Sequence, residues 1–320
     1  MVDPAAHNTD SPQVHHVVVE AAQAGQRIDN FLLRHLKGVP RSHIYRILRA
    51  GEVRVNGSRI KAGYRLVAGD RVRIPPVRVA RDSGGPVAVA DAVRAEVEAS
   101  ILLEDRDLIV LNKPSGLAVH GGSGVPYGVI EVLRQSRPEG EMLELVHRLD
   151  RATSGCLLIA RRREVLLSLH QDLRSGQVDK RYHALAAGRW REDERTVLAP
   201  LSRGSGGRGK VQVAAGGRHA HTEMHVVRRF AEATLLEVGL RTGRTHQIRV
   251  HAAHLGHPLA GDDKYGDFAF NRRLRKVGLR RLFLHATELR FSLPGARRRY
   301  RVRAPLGSDL EQVLERLRQR

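Results

Sequence analysis

One acidic side chain in this sequence stands in a setting that suits chemistry on a bound substrate. Asp150 lies in the segment 147–155, His-Arg-Leu-Asp-Arg-Ala-Thr-Ser-Gly, directly before the apolar run 156–160. If the segment is extended, Arg148 and Asp150 share one side of it, because side chains of a strand alternate. The pattern predicts a carboxylate beside a guanidinium at the mouth of a buried strand. A surface loop with an ordinary ion pair is the alternative that this segment alone leaves open.

Two later segments help to decide whether Asp150 belongs to a functional site or to an ordinary surface ion pair. They read Lys-Arg-Tyr-His-Ala at 180–184 and Leu-Arg-Thr-Gly-Arg-Thr-His-Gln-Ile-Arg-Val-His at 240–251. In this order and at these separations, the three segments resemble the signatures of the ribosomal large-subunit type of RNA pseudouridine synthase, the RluA family. The resemblance covers most of the chain. It implies an enzyme that isomerises specific uridines of large-subunit (23S) ribosomal RNA to pseudouridine, without a cofactor and after flipping the base out of its stack.

The resemblance also implies three catalytic residues. Asp150 is assigned to the ribose, where it either attacks the anomeric carbon or removes the 2′ proton. Arg244 matches the basic residue that pairs with this aspartate, and such a cation keeps a desolvated carboxylate ionised. Tyr182 matches an aromatic residue whose ring stacks on the uracil and whose hydroxyl can move a proton. Without the resemblance, core packing would be the better interpretation of Tyr182.

Four further residues of these segments are expected to bind substrate. Arg148 enters the gap left by the flipped base, or it contacts a phosphate, or it is a plain surface arginine. Leu240 matches an apolar residue beneath the pocket, although an ordinary core leucine would look the same. Thr245 and His246 follow Arg244 and complete the set.

The charge of the chain favours a polyanionic partner. Lysine and arginine number 55 against 34 acidic residues, a formal net charge of +21, and basic side chains gain by releasing counterions from phosphates. An arginine-rich proteome and attraction to acidic lipid are the alternatives. No apolar run reaches the ~18 residues of a membrane span, and the one cysteine excludes an intramolecular disulfide. We expect a cytoplasmic, monomeric protein bound to ribosomal RNA.

Composition and periodicity predict four regions. Residues 1–14 are expected to be disordered, and 76–98 to be a linker. Between them, 15–75 predicts a small module of two helices and a short sheet with a basic outer face, and it resembles the alpha-L module first described in a small-subunit ribosomal protein. Its candidate RNA-binding residues are Arg41, Arg46, Arg49, Arg54, Arg59 and Lys61.

Residues 99–320 form the predicted catalytic domain. Strand and helix patterns alternate there without a regular βαβ series, which predicts an α+β fold on a mixed, mainly antiparallel sheet with flanking helices. A helix is expected over 164–173 and another over 246–255, whereas the Gly/Arg-rich stretch 202–217 predicts a mobile loop.

The residues disfavour three alternatives: a metal site, a glycosidase and an inactive RNA chaperone. His251, His254 and His257, with Asp262 and Asp263, have the types of a metal site, but the helix is expected to end near Gly256, so we predict no metal. A glycosidase would need a second carboxylate in a comparable motif, and none is found. An RNA chaperone without activity would not be expected to retain Asp150, Tyr182 and Arg244 together.

Overall fold

The chain divides into two compact units, residues 1–88 and 89–320. The computed structural model describes residues 14–36, 39, 41–77, 89–122, 125–138, 141–204, 210–293 and 299–319. The predicted disorder over 1–14 falls almost entirely outside these ranges.

The first unit packs two helices on a four-stranded antiparallel sheet of order β1-β4-β2-β3. Apolar side chains at helical spacing, among them Ile28, Phe31, Ile44 and Ile47, are buried in one core between helices and sheet. Its elements are β1 (His15–Val18), α1 (Ile28–His35), α2 (Arg41–Ala50), β2 (Arg54–Val55), β3 (Ser58–Arg59) and β4 (Arg71–Ile74). The two expected helices and the small sheet are thus present.

The second unit is built on a ten-stranded sheet, with the main strand order β10-β13-β14-β9-β15-β8-β6-β5. Strand β16 extends it from β15, and β7 pairs with β8. Its strands are β5 (Ile101–Glu104), β6 (Leu108–Lys113), β7 (Glu144–Leu145), β8 (Ser154–Ala160), β9 (Asp179–Ala187), β10 (Glu194–Val197), β13 (Thr222–Arg229), β14 (Ala233–Leu240), β15 (Leu284–Ser292) and β16 (Arg299–Arg303); β11 (Leu201–Arg203) and β12 (Val211–Val213) form a separate hairpin.

Six helices flank this sheet in the described part of the unit. They are α3 (Asp91–Ala99), α4 (Val129–Gln135), α5 (Arg163–Ser175), α6 (Gln247–His254), α7 (Phe268–Val277) and α8 (Ser308–Arg318). One apolar core joins α3, α4 and α5 to the sheet, and a second lies under α7 and α8. The mixed, mainly antiparallel sheet with its helices confirms the predicted α+β class.

Two sequence predictions differ from the observed elements. The expected linker 76–98 ends in helix α3, because Val93 and Val97 lie four residues apart on one face and pack against the main core; residues 78–88 lie outside the described ranges. The expected loop 202–217 contains the hairpin β11–β12, which buries Leu201 and Val211 beside Val250 of α6.

Candidate active site

The sheet brings Asp150 and Tyr182 to one cleft. Among the described strands, β15 lies between β8 and β9, and it is parallel to β8 but antiparallel to β9. Ala286 pairs with Gly155 on one side and with Tyr182 on the other. The turn before β8, which carries Asp150, therefore lies one strand away from β9, which carries Tyr182, and both residues line the same cleft.

Gly155 permits this close pairing. Its φ is +108°, and a Cβ on it would lie 2.3 Å from the carbonyl oxygen of Ala286. Only glycine accepts both the backbone angle and the contact without strain. The Thr-Ser-Gly end of the first segment thus has a structural purpose that its sequence pattern did not state.

Asp150 faces a cation that the sequence analysis did not assign. Arg249 Nη1 lies 3.6 Å from Asp150 Oδ2, and the two side chains are 6% and 19% exposed. Arg249 sits in the first turn of α6, directed into the site. The guanidinium therefore attracts the carboxylate in a setting largely closed to water.

The predicted pairing of Arg244 with Asp150 is wrong in this structure. Arg244 lies in the loop before α6, where its Nε donates to the carbonyl of His219 at 2.9 Å, and no ion pair joins it to Asp150 within the described chain. It does line the cleft. The error arose because the motif contains two arginines five positions apart, and only the start of α6 decides which one turns inward.

Arg249 is itself fixed by a second carboxylate. Its Nε and Nη2 each donate to Asp262 at 2.7 Å, and the Asp262 side chain is fully buried. Burial would lower the pKa of Arg249 and raise that of Asp262, but their hydrogen bonds and opposite charges outweigh it, so the pKa of Arg249 is raised and that of Asp262 is lowered. This two-pronged bond fixes the guanidinium plane and leaves Nη1 for Asp150.

Tyr182 enters the cleft as a neutral phenol. Its side chain is buried, and burial, followed by the charge of Asp150, raises its pKa. Tyr182 lines the same cleft as Leu240, which is half-buried at the end of β14. An apolar floor with a neutral aromatic wall suits a flat, uncharged base.

The other expected substrate residues also line this cleft. Arg148 is exposed at its rim, and Thr245 follows Arg244 in the loop before α6. His246 ends that loop with its Nε2 3.9 Å from Asp150 Oδ2. The structure therefore brings together every residue that the sequence assigned to catalysis or substrate, although with a different partner for Asp150.

The histidines considered for a metal site have other contacts. His251 is buried, and its nitrogens lie 2.8 Å from Thr222 Oγ1 and 2.9 Å from the carbonyl of Ala199. His257 Nδ1 lies 2.7 Å from the carbonyl of Ala187. Across the described ranges, no group of three or more His, Cys, Asp or Glu side chains has the arrangement of a metal site.

Comparison with known proteins settles the family. A family model of RNA pseudouridylate synthase matches residues 107–254, and an S4 domain model matches residues 26–72. Ribosomal large subunit pseudouridine synthase C of Escherichia coli (strain K12) is 52% identical over 314 residues, 97% of this chain and 98% of the relative. The chain belongs to the RNA pseudouridine synthases.

Other relatives agree with this assignment. The enzyme of the same name from Pasteurella multocida (strain Pm70) is 50% identical over 305 residues, covering 95% of this chain and 94% of the relative. Among solved structures, Human RNA Pseudouridylate Synthase Domain Containing 4 superposes with a TM-score of 0.60 at 27% identity, covering 71% of this chain and 96% of that one. The predicted family, enzyme class and alpha-L type of module are therefore confirmed.

The basic residues of the S4-type module differ in their contacts. Arg46, Arg49, Arg54, Arg59 and Lys61 are exposed, while the side chain of Arg41 lies outside what the structure describes. Arg59 has a structural task as well, since its Nη2 donates to the carbonyls of Arg49 and Ala50 at the end of α2.

One residue near the synthase cleft was missed by the sequence analysis. Lys113 is fully buried, and its Nζ donates to the carbonyls of Pro114, Leu117 and Arg151 at 2.7, 2.8 and 3.3 Å. Burial lowers its pKa to about 7, against the charge of Asp150, which raises it. Lys113 thereby ties β6 to the turn that carries Asp150. A lysine that ends a largely apolar strand directly before a proline was the available signal.

No helix in the described ranges is long and apolar enough to cross a membrane.

Proposed function

We propose that this synthase converts specific uridines of 23S ribosomal RNA to pseudouridine, with Asp150 acting on the ribose of a flipped nucleotide. The observation that carries the proposal is the Asp150 carboxylate, which lies in one cleft with Arg249 at 3.6 Å and with Tyr182. The relatives that share half of its residues over almost the full chain are named as ribosomal large-subunit synthases.

The reaction rearranges bonds within one nucleotide. The bond from N1 of uracil to the anomeric carbon breaks, the base turns, a bond from C5 to the same carbon forms, and the C5 proton is lost while N1 gains one. No atom is added and no electron is gained overall, so the chemistry calls for neither a redox nor a group-carrying cofactor. We expect the protein to act alone on its RNA.

Asp150 can start this sequence by either of two routes. It attacks the anomeric carbon, or it removes the 2′ proton, and in both cases it must be ionised. Arg249 places a positive charge 3.6 Å from that carboxylate, while its bond to Asp262 offsets part of this charge. Tyr182 then offers its ring for stacking on the base and its hydroxyl for proton movement.

A basic groove beside the cleft suits the RNA strand on either side of the flipped nucleotide. It shares Arg148, Asp150 and Arg249 with the cleft. Its other basic residues are Arg151, Lys264, Arg275, Arg280 and Arg281. Such side chains position a nucleic acid through its phosphates, which are the same for every sequence. Base stacking in the cleft and contacts of the S4-type module must then add selectivity.

Mapping of pseudouridine in unmodified 23S RNA tests the proposal. Wild-type protein should introduce pseudouridine at defined positions, whereas Asp150→Asn should give none while it binds the RNA as tightly. The absence of product with the wild type would refute 23S RNA as the substrate, and appreciable turnover by Asp150→Asn would remove Asp150 from its central role.

A paired comparison of two arginines tests the geometry of the site. Arg249→Met removes the charge beside Asp150, and a charge at this distance is worth a few kcal/mol, so we expect kcat to fall about a hundredfold or more. Arg244→Met removes the same charge from the cleft wall and should raise KM more than it lowers kcat. Equal losses of kcat in both variants would contradict the assignment of Arg249.

A further inference from the structure

His246 has an unusual backbone for a residue with a ring. Its φ and ψ are 55° and 21°, in the left-handed region, and among the described non-glycine residues it shares a positive φ only with Asn56 of an Asn-Gly turn. This conformation costs about 1–2 kcal/mol for an ordinary side chain. It is maintained at a point where the ring lies between Tyr265 and Asp150.

Hydrogen bonds determine which nitrogen of His246 carries the proton. The backbone N–H of Val211 donates to the Tyr265 hydroxyl oxygen at 2.9 Å, and His246 Nδ1 lies 2.8 Å from the same oxygen. If the hydroxyl donates to Nδ1, the neutral ring carries its hydrogen on Nε2, which faces Asp150. The other tautomer would turn a lone pair toward the carboxylate and is disfavoured by repulsion.

The charges around His246 agree with a neutral ring. Asp150 and Asp262 favour the imidazolium, whereas burial, Arg249 and Lys264 oppose it, and the pKa of His246 is lowered with burial as the largest cause. Tyr265 also lies edge-on to the imidazole and beneath the guanidinium of Arg249, 5.2 Å from the ring centre. One tyrosine thus contacts both groups that face the Asp150 carboxylate.

Both of these groups approach the same oxygen of Asp150. Arg249 Nη1 lies 3.6 Å and His246 Nε2 lies 3.9 Å from Oδ2. Oδ1 has no hydrogen bond or ion pair within the described chain. Two N–H-bearing groups therefore face one oxygen at charge-contact distance, and the other oxygen is left for the ribose.

We propose that Tyr265 is a positioning residue for the isomerisation: its hydroxyl fixes His246 with Nε2–H directed at Asp150 Oδ2, which orients the carboxylate to act on the ribose through Oδ1. The activity measurements that test this inference rest on the proposed function. The tautomer of the His246 imidazole can be tested independently of it. Tyr265 acts through His246, so removal of either should have the same consequence.

A mutant cycle tests the connection. Tyr265→Phe keeps the ring over Arg249 and removes only the hydroxyl. We expect it to lower kcat about tenfold, as for the loss of one orienting hydrogen bond, with KM almost unchanged. In a His246→Ala background, the same change should cause no further loss. His246→Gln carries an amide N–H near the position of Nε2 without needing Tyr265, and we expect it to retain more activity than His246→Ala.

Tyr300→Phe is the matched control. Like Tyr265, this tyrosine has a hydrogen-bonded hydroxyl, which donates to Asp105 at 2.9 Å, but it does not line the cleft. Loss of its hydroxyl should leave kcat unchanged. An equal loss of kcat from Tyr265→Phe with and without His246 would overturn the inference, because Tyr265 would then act through Val211 or Arg249.

Histidine ring-nitrogen NMR shifts give a readout that needs no substrate. The signals that vanish in His246→Ala should show a protonated Nε2 and an unprotonated Nδ1 in the wild type, and a mixture of tautomers in Tyr265→Phe. An unchanged tautomer in Tyr265→Phe would refute the positioning role. If wild-type protein lacks activity on 23S RNA, the proposed substrate fails while this measurement still decides the role of Tyr265.

Discussion

Asp262→Asn isolates the energetic weight of the buried carboxylate behind the active site. Asp262 bonds Arg249 through both oxygens and accepts the backbone N–H groups of Lys264 and Tyr265. Asparagine has the same size, but its amide group would present a donor to a guanidinium donor. Asp263 offers a matched control, since its side chain is 94% exposed and lies 3.5 Å from the same Nη2 of Arg249.

The two neighbouring variants should differ strongly. Breaking a buried ion pair by removing one partner costs about 3–5 kcal/mol of unfolding free energy, whereas an exposed pair contributes about 0–1 kcal/mol. With an m value of about 3 kcal/mol/M in urea, Asp262→Asn should lower the unfolding midpoint by roughly 1–1.7 M. Asp263→Asn should lower it by at most about 0.3 M.

Tryptophan fluorescence measures this transition in the correct unit. Trp190 is the one tryptophan of the chain, it is 5% exposed, and it belongs to the unit that contains Asp262. The folded-state pKa of Asp262 is lowered, so its contribution is complete above the unfolded value of about 3.9 and is lost as pH falls through the folded pKa. The gap between Asp262→Asn and the wild type should therefore be full at neutral pH and close in acid. Equal midpoints for the two asparagine variants at neutral pH would refute the reasoning.

Three shorter predictions concern other parts of the molecule. Removal of residues 1–88 should weaken RNA binding and flatten its dependence on salt, because the exposed basic residues of the first unit are lost; an unchanged slope in filter binding would contradict this. Burial raises the pKa of Cys156 to about 12, so a thiol reagent should label it in urea but not in the native protein at neutral pH. Gly155→Ala should lower the melting temperature sharply, since its Cβ would meet the Ala286 carbonyl at 2.3 Å, and a melt equal to wild type would show that β8 and β15 can separate freely.

Much of the fold could be predicted from the sequence, because the patterns that indicate helices and motifs involve residues close together in the chain. Helical spacing of apolar residues and nearby glycines located α1, α2, α5 and α6, and the three motifs located the cleft. Helix α7 was missed although Asp267 caps its start and Gly278 its end. The sequence pattern could not show whether Arg244 or Arg249 faces Asp150. The answer depends on the left-handed backbone of His246, which the residue type does not predict. The catalytic roles of Asp150 and Tyr182 stay predictions.

The late position of β15 in the chain affects folding during synthesis. Ser154 and His285 pair across 131 residues of chain, and during synthesis at about 5–20 residues per second the second strand follows the first by roughly 7–26 s. Throughout that interval β8 and β9, both rich in buried apolar residues, lack the neighbour that joins them. Contacts of such separation fold slowly and expose sheet edges to other chains. A nascent chain therefore contains all three motifs before its active site can form, and we expect a product truncated before β15 to be inactive and prone to aggregate.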